Sequence, residues 1–86
     1  MAYVNMTFST LKRTKFTMHR EFGKIDSLIA RYADDYGSTI FENRLMSMTV
    51  RGISVSDAYN LLAALYATLG NDEKFKSIRL ISVYID

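Results

Sequence analysis

Cysteine, proline and tryptophan are all missing from this chain of 86 residues, and histidine occurs once, at His19. The lack of cysteine excludes disulfide frameworks, thiolate zinc sites and thiol nucleophiles. Secreted domains this small are usually stapled by disulfides, so a cysteine-free one is expected in a reducing cytoplasm. With no proline to punctuate loops, turns must be sought at the four glycines and at polar clusters. Long apolar runs are missing too. The longest, Leu61 to Ala67, has seven residues, far short of the roughly 20 that cross a bilayer. The segment Met1–Phe8 has neither a basic start nor a long apolar stretch, so it does not read as a signal peptide. No membrane partner is expected.

What is present is a core. Apolar residues make up 49% of the chain, too many for a disordered one. The length suits one domain over 1–86. Such a domain buries only about 60–65% of the surface its unfolded chain exposes, so a monomer is feasible and marginal.

Tyr3 to Leu11 alternates, with Val4, Met6 and Phe8 on one face and Asn5, Thr7 and Ser9 on the other. This predicts a half-buried strand. Lys15–His19 alternates again and is either a short second strand or the lead-in to a helix. Phe22, Ile25, Leu28, Ile29, Tyr32, Ala33 and Tyr36 recur at helical spacing, and Gly37 sits where a left-handed C-cap is wanted. Thr39 to Arg51 reads as one long strand, bent or bulged near Glu42–Arg44 and ended by Gly52. Ser54 or Ser56 then caps a second helix, whose apolar face is Ala58, Leu61, Leu62, Leu65 and Leu69; Gly70-Asn71-Asp72 stops it. Ile78 to Ile85 is apolar on both faces, which predicts a strand inside a sheet. The expected fold class is α/β (α+β): a small two-layer sandwich, with two amphipathic helices on one face of a three- or four-stranded sheet. Met6, Met46 and Met48 fall on its buried strand faces.

Charge is unevenly spread. Five of the eleven basic residues, Lys12, Arg13, Lys15, Arg20 and Lys24, lie in one stretch opposed only by Glu21. That stretch carries +4, while the remainder, six basic and eight acidic residues, sums to −2. Such a patch attracts phosphate or an acidic protein. Thr10, Thr14 and Thr17 add hydroxyls, while Phe16 and Tyr3 offer stacking faces for unpaired bases. The candidate nucleic-acid-binding residues are therefore Lys12, Arg13, Lys15, Phe16, His19, Arg20 and Lys24, and the plain alternative is a solvated, solubilising loop. Arg44 and Arg51 extend the patch only if their strand runs nearby. Tyr59 and Tyr66, seven apart on the second helix, are candidates for a partner or homodimer surface.

Catalysis has little to stand on. His19 has no second histidine, and Glu21 is its sole nearby carboxylate. Asp34-Asp35 and Asp72-Glu73 abut glycine turns and do not converge from separate strands as a two-metal site requires. The four glycines form no phosphate loop or dinucleotide fingerprint. Neither enzyme activity nor any metal or cofactor is expected.

The two-layer outline resembles the RNA-recognition motif and the KH domain, without the aromatic motifs of the first or the GXXG loop of the second. In size and style the chain resembles accessory proteins of phages and mobile elements, which bind and block a host macromolecule. The expected function is a small regulatory protein binding RNA or single-stranded nucleic acid through residues 12–24. The alternative is an inhibitor that docks on an acidic host protein. A homodimer is expected in either case, because a short sheet leaves its edges open.

Overall fold

A computed structural model describes all 86 residues, Met1–Asp86. The elements run β1 (Ala2–Thr10), α1 (Lys15–Ile29), β2 (Tyr36–Phe41), β3 (Leu45–Ile53), α2 (Val55–Asn71), a 3-10 turn (Glu73–Phe75) and β4 (Ile78–Ile85). The strands form one antiparallel sheet in the order β2-β3-β1-β4. Each helix links two parallel strands with a third lying between them. This is the interleaved pair of split β-α-β units called ferredoxin-like, a two-layer α+β sandwich with a four-stranded sheet.

The alternation in β1 sends Val4, Met6 and Phe8 into the core, where they meet Met46, Met48 and Val50 of β3; all six are 2% exposed or less. From the other side come Phe22, Ile25 and Ile29 of α1 with Ala58, Leu61 and Leu65 of α2, each wholly buried. Ser54 caps α2, its hydroxyl accepting from the Asp57 N–H at 3.1 Å.

Of the two readings of Lys15–His19, the structure shows the second: the segment is the opening of α1. Thr14 caps the helix by accepting from the Thr17 N–H at 3.2 Å, and the buried stripe already begins at Met18. Four expectations are corrected. First, the helix ends at Ile29, so Tyr36 belongs to β2 and Asp34-Asp35 to the intervening turn. Gly37 caps nothing. The Arg51 guanidinium lies across it, where a Cβ would come within 2.8 Å of Nη2. Second, Thr39–Arg51 is not one strand but part of a hairpin turning at Glu42-Asn43-Arg44, with Arg44 left-handed at φ 66. That is the geometry of a three-residue hairpin loop, with arginine where glycine is usual.

Third, Gly52 does not end β3. It lies at φ 64 in a bulge, where Arg51 and Gly52 together oppose Tyr3 between the pairs Ala2↔Ile53 and Val4↔Val50. A Cβ there would meet only the Met1 sulfur at 3.7 Å, so a substitution is opposed by backbone conformation and not by space. Gly52→Ala is expected to cost about 1–2 kcal/mol, measured as a lower urea midpoint at unchanged m-value. Fourth, β4 is an edge strand and not an interior one. Leu80, Val83 and Ile85 pack toward the helices, but Ile81 and Tyr84 stay 53% and 61% exposed.

Candidate nucleic-acid interface

The topology sorts charge into two poles. The β1–α1 loop, the β2–β3 hairpin and the α2–β4 connection all emerge at one end of the sandwich. Backbone hydrogen bonds tie them together there: the Thr10 N–H donates to the Arg44 carbonyl at 3.2 Å, and the Leu11 N–H to that of Ser77 at 3.0 Å. Eight basic residues occupy this end (Lys12, Arg13, Lys15, Arg20, Arg44, Lys74, Lys76 and Arg79) against three acids (Glu42, Asp72 and Glu73), a balance of +5. The opposite pole holds Arg31 and Arg51 against Asp34, Asp35, Asp57 and Asp86, a balance of −2.

The predicted residues divide among several surfaces. Arg13, Lys15 and His19 line a groove of about 830 Å³ between α1 and the β2–β3 hairpin; Met18, Ile40 and Phe41 are its apolar members, and Asp26, Ser38 and Glu42 also line it. Phe16, 75% exposed, and Arg20 point outward from α1. Lys12 is half-buried in the loop. Arg13, Lys15, Arg20, Arg44, Lys74 and Arg79 are exposed and take part in none of the three ion pairs. Arg44 and Arg79 join the basic end through the fold alone. Arg51 does not: its Nη1 donates to Asp35 Oδ1 at 2.9 Å on the opposite pole. Tyr3, hydrogen-bonded to Asp86, also lies at that far end and cannot stack beside the basic loop.

Lys24 is the other exception, because it serves the fold. Its ammonium donates to both oxygens of Glu21 at 3.1 Å and to the Lys74 carbonyl at 2.9 Å. Glu21 is 4% exposed and also accepts from the Ser77 hydroxyl at 2.6 Å, so the pair links α1 to the segment leading into β4. Burial alone would raise the Glu21 carboxyl. The Ser77 hydrogen bond, Lys24 and the more distant Lys12 charge outweigh it and leave it below its ordinary 4.5. A lowered carboxyl contributes stability that is complete above the ordinary value and is lost as pH falls through the folded one. Lys24→Ala removes a lowering partner and leaves burial less opposed. The variant is therefore expected to unfold at a higher pH than wild type in an acid titration followed by circular dichroism. Asp26 acts in the opposite sense. Burial raises its carboxyl, and a Ser38 hydroxyl at 3.4 Å only partly offsets this, so acid relieves a cost at that position.

No grouping of three or more His, Asp and Glu side chains is arranged to hold a metal ion. No helix is long and apolar enough to cross a membrane. The far face of the sheet, uncovered by helices, carries small polar side chains in cross-strand rows such as Thr39–Ser47–Thr7–Ser82. Tyr59 and Tyr66 stand exposed at 62% and 56% along α2. No protein-family model matches this chain, and no curated protein matches it either.

Proposed function

We propose that this protein is a small, non-enzymatic regulatory protein that binds RNA or single-stranded nucleic acid at its basic pole. The observation carrying this reading is the convergence of cations from three separate connections onto one end, six of them exposed and outside any ion pair. Arg13, Lys15, Arg20 and Arg44 contact phosphates. Phe16 provides a face for a base, and His19 contributes a polar contact beside the groove. Lys24 supports the site from behind through Glu21, and Lys12, half-buried in the loop, adds a longer-range positive charge. The absence of cysteine suits a cytoplasmic setting, and the protein acts as a homodimer carrying two such poles.

Fluorescence anisotropy with a labelled single-stranded RNA tests this. Engagement of about four phosphates predicts a slope near −3 in log K against log salt, from about −0.7 per phosphate. A flat salt dependence, or no binding at low salt, removes the reading.

One observation favours the alternative of an acidic host protein blocked in the manner of a phage accessory protein. Leu11 and Phe16 are exposed at 66% and 75% among the cations, and an apolar anchor ringed by charge suits a protein partner. Affinity purification from the host, with and without nuclease, separates the two: a protein retained after nuclease treatment favours the inhibitor.

A further inference from the structure

The α2 helix has 17 residues and a single charged one, Asp57. Its flank bearing Thr68 faces Lys24, Leu28 and Arg31 of α1 across a shallow groove. The stripe of Val55, Tyr59, Leu62 and Tyr66 therefore looks away from α1, over the edge strand β4. Val55, Tyr59 and Tyr66 are 53%, 62% and 56% exposed, and Leu62 is only partly buried, as are Val83 and Ile85 of β4.

We infer that this α2–β4 flank is the interface with a second copy of the chain, related by a two-fold axis near Leu62 and Ala63. This deepens the homodimer in the reading above and stands apart from its nucleic-acid claim. Two features favour a second copy over a foreign partner. The stripe is self-complementary, because a two-fold at its centre brings Tyr59 of each copy opposite Tyr66 of the other, with small Ala63 at the crossing. The charge pattern is self-complementary as well. β4 runs from the basic pole to the acidic one, so antiparallel packing sets each +5 end beside the partner's −2 end, with Arg79 near the partner's Asp86. An extra β4 residue, Ile81, interrupts the pairing with β1 between Thr7↔Ser82 and Phe8↔Leu80. Such a bulge blunts an edge against strand addition, so side-chain packing of α2 supplies most of the contact.

Sedimentation equilibrium of the full chain from about 1 to 100 μM tests this. Wild type is expected to approach twice its 9.9 kDa mass, and Tyr59→Glu/Tyr66→Glu to sediment as a monomer with its cooperative thermal melt retained. Phe41→Glu, on the opposite edge strand, is expected to leave the dimer intact. A wild-type monomer throughout, a dimer that survives the double substitution, or a dimer lost only with Phe41→Glu would each overturn the assignment. RNA binding by wild type is scored separately, so its failure leaves the mass measurement standing.

Discussion

Leu65→Ala is expected to lose about 2–5 kcal/mol of stability, the range for truncating a fully buried leucine. Leu65 is wholly buried on the inward face of α2, with Leu61 one turn before it and β1 beneath. Removing its isobutyl group loses transfer free energy and leaves a cavity that a two-layer domain with a single core cannot easily refill. Domains of this kind have about 5–15 kcal/mol in total, so the variant is partly unfolded at physiological temperature if wild type lies at the lower end. In a thermal melt the loss corresponds to a fall of about 8–40 °C, from about 4–8 °C per kcal/mol at this size. Asn60→Ala, on the exposed side of the same helix, is expected to stay within about 0.5 kcal/mol of wild type. Equal melts for Leu65→Ala and Asn60→Ala would show that α2 presents a different face to the sheet.

Reversing the exposed cations of the basic pole is expected to remove nucleic-acid binding while leaving the fold in place. The informative combination is Arg13→Glu, Lys15→Glu and Arg44→Glu. These three come from two separate connections, are exposed and hold no ion pair, so their reversal breaks no internal contact. Lys24 is a poor choice despite lying in the same basic stretch. It pairs with the buried Glu21 carboxylate, and reversing it would confound lost binding with unfolding. Turning three phosphate contacts into repulsions is expected to weaken binding at least 100-fold at low salt, since each lost contact also forfeits its counterion release. Arg31→Glu, at the acidic pole, should leave affinity within about twofold, the scale of a distant screened charge. If Arg31→Glu weakens binding as much as the triple variant, net charge alone drives association and the pole has no special role.

The core was legible in the sequence because burial in strands and helices follows fixed periods. The alternation of Val4, Met6 and Phe8 and the repeat of Ala58, Leu61 and Leu65 lead directly to residues that are almost fully buried. The boundaries were less legible. Tyr32 and Tyr36 continue the α1 period by coincidence, and Tyr36 is spent on β2 opposite Val50, so the spacing alone places the helix some seven residues late. The better signal was Thr14, a hydroxyl cap just ahead of the buried Met18. The Glu42-Asn43-Arg44 hairpin was likewise visible as three consecutive polar residues between apolar runs, but without glycine it looked like a bend.

Apolar content on both faces misplaced β4, since outward apolarity marks an interior strand and an exposed contact surface alike. Only strand order distinguishes them, and strand order depends on which long-range pairings bury most surface. The same holds for the site. Local sequence determined that Arg13, Lys15, Phe16 and Arg20 lie close together. The tertiary structure decided that Arg44 and Arg79, some 30 and 60 residues away in the chain, join them at one pole, while Lys24 is drawn inward and Arg51 is sent to the other end. A chain's charge pattern is one-dimensional, but electrostatic potential depends on distance in space, and only the register of the sheet sets those distances.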